Sequence, residues 1–183
     1  YINNPQEILN IRGGGLAIYG GIIAGAICVL IMSKIKKMHF LDLLDYIVPG
    51  LAIGQSIGRW GNFVNGEAHG IETNLPWAIK ITENGVEKYV HPTFLYESIA
   101  TFIIFIILTK MSKKRKYSGQ IAYIYIILYS FVRFFIEGIR TDSLMINNIR
   151  ISQLLSLILF VLFCCKMSRK KIMKNNVIKN AAK

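Results

Sequence analysis

The sequence predicts an all-α, polytopic membrane protein, with about five transmembrane helices and a small extracytoplasmic head that contains a β-hairpin. Three observations carry this. The 183 residues are 53% hydrophobic with a mean hydropathy of +0.43, which suits a chain embedded in a bilayer better than a soluble domain. Apolar runs long enough to cross much of a ~30 Å hydrocarbon core recur along it. Lysine and arginine collect just beyond alternate runs, where membrane proteins keep them. That distribution also sets aside nucleic acid as a partner, although the formal net charge is +12.

The elements follow in order. Residues 1–12 are polar and turn-rich, beginning at Tyr1 with no basic segment leading into an early apolar core, so no signal peptide is visible. Residues 13–32 form the first span and end in Lys34, Lys36 and Lys37. Residues 41–63 form a second, interrupted by Asp42, Asp45, Pro49 and a series of glycines. A broken span is tolerated where it faces protein or a watery cavity. Asp42 and Asp45 read as solvated or capping residues. Residues 77–81 and 86–90 flank Thr82-Glu83-Asn84-Gly85, a hairpin pattern with an Asn-Gly turn. His91-Pro92 opens the third span, 93–108, and a basic run over 110–116 closes it. The fourth span covers 119–137, a short loop follows, and the fifth covers 151–165. The organisation is thus one membrane-embedded domain over 1–183, with spans and head in 13–166. The basic tail, 167–183, is expected to lack structure at its end. Cys28, Cys164 and Cys165 lie in or at the end of apolar runs and read as small apolar fillers. No spacing suggests a metal site, and no cofactor is expected.

Fifteen of the 22 basic residues follow the first, third and fifth spans, whereas five lie in the opposite loops and start. The positive-inside rule therefore places those clusters and the C-terminus in the cytoplasm. It also puts the embedded polar residues at one depth. Tyr19, Arg59, Asn62, His91, Tyr96, Glu97, Tyr129, Arg133 and Glu137 all fall in the outer half of the bilayer.

The stretch 54–70, GQSIGRWGNFVNGEAHG, sets glycines around Arg59, Asn62 and Glu67. Closely spaced glycines let neighbouring backbone approach, or let a headgroup reach the main chain. An arginine at the end of an apolar run needs an anion, a carbonyl or water. Tyr129, Arg133 and Glu137 share one helical stripe by their i, i+4, i+8 spacing, which Arg140 extends if the helix continues. Arg133 and Glu137 as a self-neutralising structural pair is one reading. Two arginines gripping a phospholipid phosphate is the other. Glu97 is a candidate partner for either arginine. His91 before Pro92 reads as an interfacial helix start, and Tyr19 between glycines as a belt tyrosine or a residue that something approaches.

Four stretches resemble the bacterial phosphatidylglycerol–prolipoprotein diacylglyceryl transferases: GGLAIYGG (14–21), PGLAIGQSIGRWGNFVNGEAHG (49–70), HPTFLYES (91–98) and YSFVRFFIEGIRTD (129–142). The resemblance implies seven spans, two of them ahead of Tyr1, in the bacterial cytoplasmic membrane. It implies transfer of diacylglyceryl from phosphatidylglycerol to the lipobox cysteine of a prolipoprotein signal peptide, with glycerol phosphate leaving. It assigns Arg59 and Arg133 to phospholipid binding and catalysis. Asn62, Glu67 and Gly70 match the rest of the signature block, and Tyr129 and Glu137 the residues beside Arg133. Tyr19 stands where many members carry a histidine proposed to act on the thiol. A tyrosine with a pKa of about 10 is a poor base at neutral pH, so either arginines lower it or the position orients substrate. A transporter would continue its polar residues into the inner half of the membrane, which this chain does not. A lipid-binding scaffold without chemistry is the remaining alternative.

Overall fold

In the computed structural model, residues 18–67, 69–83, 85–141, 145–146 and 149–181 are described. Five helices and two small hairpins follow in the order α1 (Ile18–Ile35), α2 (Phe40–Val64), β1 (Ile79–Glu83), β2 (Val86–Val90), α3 (Thr93–Ser112), α4 (Gln120–Ile139), β3 (Met145–Ile146), β4 (Ile149–Arg150) and α5 (Ile151–Ala181). Four stretches are long and apolar enough to cross a membrane: α2, α3, α4 and, within α5, Ile151–Lys170. The chain is a multi-pass membrane protein. Within α1 the corresponding apolar stretch, Ile23–Ile35, is shorter, and the predicted start of the first span, 13–17, lies outside the described residues.

The chain divides into residues 1–43 and 44–183. In the first unit α1 stops where Lys37 takes a left-handed φ of 51°. The Lys37 amide then donates to Lys34 O (3.2 Å) and the Met38 amide to Ser33 O (2.9 Å), the reciprocal pair that closes a helix C-terminus.

In the second unit α2 runs unbroken through Pro49, where the sequence suggests an interruption. Proline removes one helical bond, to the carbonyl of residue 45, and the rest of the ladder holds the helix together. The core lies where α2, α3 and α4 meet: Val48 and Ala52 pack with Ile104, Leu108, Ile121, Ala122 and Tyr125. α5 joins through edge-to-face Tyr123–Phe163 (5.3 Å between centroids) and tilted Phe131–Phe160 (6.0 Å). Outward side chains on α5, Leu154, Leu155, Ile158, Val161 and Leu162 among them, are apolar and exposed, as a lipid-facing surface requires. α5 continues as helix to Ala181 instead of ending near Cys165, because its Lys-, Arg- and Asn-containing tail holds no Gly or Pro to stop it.

Asp45 is buried and serves as the N-terminal cap of α4 from a distance. Its Oδ2 accepts from the Gly119 amide (2.8 Å) and Arg115 Nη1 (3.2 Å), and its Oδ1 from the Ala122 amide (2.8 Å). The carboxylate satisfies donors that every helix start leaves open.

The first hairpin pairs Glu83 with Val86 and Ile79 with Val90. Its strand starts two residues later than the apolar pattern suggests, and Gly85 has φ 79°. A second ladder, Met145–Ile146 with Ile149–Arg150, occupies what the sequence reads as loop.

Candidate functional site

The site begins with two serines. Ser56 Oγ donates to Ser98 O and Ser98 Oγ to Ser56 O, each at 2.8 Å. These small side chains lock α2 against α3 at close range. Arg59 lies one helical turn beyond Ser56, and Glu97 is the residue before Ser98, so this lock sets both groups at one level.

Glu97 is the hub. Its Oε1 accepts from Arg59 Nη2 and from Tyr129 Oη (3.0 Å), and its Oε2 from Arg133 Nη1 (2.9 Å). One carboxylate therefore binds three helices together. Arg133 Nη2 also stands 2.6 Å from Glu137 Oε2. Among the described residues that oxygen has no hydrogen-bond donor, so the contact is an ion pair without a hydrogen bond. The Glu137 carbonyl accepts from Arg150 Nη1, which brings a third guanidinium to the same helix end. Tyr129 stacks on Tyr125 at 5.7 Å, and Tyr125 Oη donates to Gln55 Oε1 at 2.7 Å.

Exposure decides what a ligand would meet. The Glu97 and Glu137 side chains are 3% and 2% exposed, whereas those of Arg59 and Arg133 keep 15% and 16%. The carboxylates are sealed in, whereas both arginines stay partly open. The open side is cationic and its remaining N–H groups suit phosphate oxygens.

The glycines of this region divide into three kinds. A Cβ added at Gly54, Gly58 or Gly61 would meet nothing within 4 Å, so no close approach within residues 44–183 calls for a glycine there. Gly66, at φ 68°, stops α2: its amide donates to Phe63 O (3.1 Å) and that of Glu67 to Asn62 O (2.9 Å). Gly70 is a crossing point, where a Cβ would sit 2.7 Å from His91 Cβ and 3.0 Å from Ile139 O.

The remaining candidates are placed as follows. Asn62 Oδ1 is 3.5 Å from Arg59 Nη1. Exposed Glu67 lines a cleft of about 330 Å³ beside β1, apart from the arginine cluster. Tyr96 Oη accepts from Trp77 Nε1 (2.8 Å) and lies 3.1 Å from His91 Nδ1, a group of its own. Arg140 ends α4 in extended conformation and pairs with Gly70. Tyr19 belongs to α1 and its side chain lies outside the described residues. Gln55, Ser56 and Ser98 were not legible as site residues, since single small or neutral polar residues in an apolar helix carry no periodic signal. No cluster of three or more metal-ligating side chains occurs among the described residues.

The sequence profile of one family, prolipoprotein diacylglyceryl transferase, matches residues 1–168. Among curated proteins, one from Finegoldia magna is 55% identical over 162 residues, covering 88% of this chain and 64% of its own length. One from Clostridioides difficile is 55% identical over 158 residues, covering 86% and 62%, and one from Listeria innocua 48% over 171, covering 88% and 61%. All three bear the name phosphatidylglycerol–prolipoprotein diacylglyceryl transferase. The chain spans just under two thirds of the length of these relatives.

Proposed function

The chain belongs to the prolipoprotein diacylglyceryl transferase family, and from that premise we propose that it moves diacylglyceryl from phosphatidylglycerol to the cysteine thiol of a prolipoprotein lipobox. The observation that carries the proposal is the partly exposed guanidinium pair, Arg59 and Arg133, backed by the sealed carboxylate of Glu97.

The reaction forms an S–C bond to the glyceryl carbon and breaks that carbon's bond to phosphate oxygen. The attacking species is the thiolate of a group with a pKa of roughly 8.5. The phosphodiester enters with one negative charge and leaves as glycerol phosphate with about two. Fixed guanidiniums stabilise that added charge without reorganising. Glu97 and Tyr129 hold them at a set spacing, and Glu137 does so for Arg133. The small side of α2 at Gly54, Gly58 and Gly61 suits the close approach of a lipid backbone. Tyr19 either receives the thiol proton as a phenolate whose pKa arginines have lowered, or orients the acceptor while the proton passes to another base such as water.

The site faces the outer leaflet of the bacterial cytoplasmic membrane, with the C-terminus inside, so lipid enters laterally from the surrounding bilayer. The test is transfer of radiolabelled diacylglyceryl from phosphatidylglycerol vesicles to a lipobox peptide. Label on the Cys peptide and none on its Cys→Ser counterpart is expected. Well-folded protein that labels neither peptide would contradict the proposal and favour a lipid-binding scaffold.

A further inference from the structure

The free edge of β1 is a feature the arginine site does not use. Thr73 donates to Tyr89 O (2.9 Å) and His91 to Ile71 O (3.1 Å), so the segment 71–73 covers the far edge of β2, around the Glu72–Val90 bridge. Tyr89 thereby turns its main-chain groups away from β1. In an antiparallel ladder such residues alternate with those bonded to the partner strand. Lys80, opposite Tyr89, and Thr82, opposite Glu87, therefore point their N–H and C=O groups off the open side of β1. Among the described residues nothing pairs with that side.

The cleft of about 330 Å³ lies along it. Ile79, Lys80, Ile81 and Thr82 all line it, facing Phe63, Glu67 and Phe94. A cleft on the face of a sheet meets every second residue, whereas four in succession mark an edge. Phe63 and Phe94 stack at 4.7 Å on its floor. Phe63 is one turn beyond Arg59 and Phe94 about one turn before Glu97, so the cleft ends roughly 5–6 Å along the helices from the cationic pair.

We propose that the edge of β1 docks the acceptor polypeptide, whose residues beside the reactive cysteine add as a strand to Lys80 and Thr82. This rests on the transferase reading for the identity of the acceptor. The chemistry favours a polypeptide over a lipid, because an acyl chain has no use for two outward pairs of backbone donors and acceptors. The cleft's lysine is also already paired, Lys80 Nζ with Glu87 at 2.7 Å. Strand addition draws affinity from main-chain bonds, while alternate side chains meet the aromatic floor.

The test gives the protein, in phosphatidylglycerol vesicles, lipobox peptides that carry one backbone N-methyl group at successive positions flanking the cysteine. The peptide KM is expected to rise about tenfold at alternate positions and to stay at the parent value between them. Tolerance at every position, or sensitivity without alternation, overturns the proposal. Thr82→Pro, which deletes an N–H pointing off the sheet, is expected to raise the peptide KM by the same factor and leave the phosphatidylglycerol KM unchanged. Amide exchange reads docking without turnover, using the Cys→Ser peptide. The Lys80 and Thr82 amides should exchange freely alone and become protected with peptide, whereas protection before peptide is added, or none after, overturns the docking. Docking by exchange without any transfer would instead count against the transferase reading alone.

Discussion

At Glu97, one carboxylate collects two guanidiniums and a phenol, and this arrangement separates binding from turnover. Glu97→Gln removes the negative charge but keeps the shape. The arginines then lose their shared anchor while the site becomes more cationic. We expect kcat to fall about 10–100-fold with the phosphatidylglycerol KM unchanged or lower, as measured by steady-state transfer. A higher KM at constant kcat would show that Glu97 serves binding alone. Much at this scale was legible. Arg133 and Glu137 share a stripe by spacing, and Glu97 stood out as an embedded carboxylate in need of a cation. That one carboxylate would take both arginines was not legible, because the choice depends on how three helices are turned about their axes.

Helix ends and crossings carry the fold's less visible chemistry. Asp45 reads from sequence as a residue near its own helix start, yet it caps α4, some 74 residues on in the chain. No local pattern encodes such a pairing. Asp45→Ala should cost about 2–4 kcal/mol, since it strips two amides of their acceptor and leaves Arg115 without its carboxylate. Asp45→Asn should cost less, and thermal unfolding in detergent compares them. Gly70 falls within a closely spaced glycine series by sequence, and its place between His91 and Ile139 explains it by space. Gly70→Ala is expected to lower stability by about 1–3 kcal/mol through overpacking, seen in the same melts. A neutral substitution would show that the junction relaxes easily. Pro49 misleads in the other direction, because tertiary packing carries α2 through a residue that locally disfavours helix. The second hairpin was missed for a related reason, since two-residue strands are too short to show alternation.

For the molecule as a whole, the proposed sides of the membrane rest on charge asymmetry. In a variant with Cys28, Cys164 and Cys165 replaced, a single cysteine at Lys114 should react with an impermeant maleimide only from the cytoplasmic face. A cysteine at Lys80 should react only from outside, and the reverse pattern would invert the topology. The span plan itself was legible because apolar runs and basic clusters are signals of composition, insensitive to packing. The proposed action of the two guanidiniums on a departing phosphate is tested by measuring glycerol phosphate release and peptide lipidation together, in the protein and in Arg133→Ala reconstituted with phosphatidylglycerol. Equimolar products in the parent, and both reduced at least ~100-fold in a well-folded Arg133→Ala, are the predicted result. Undiminished, still equimolar products from Arg133→Ala would contradict it.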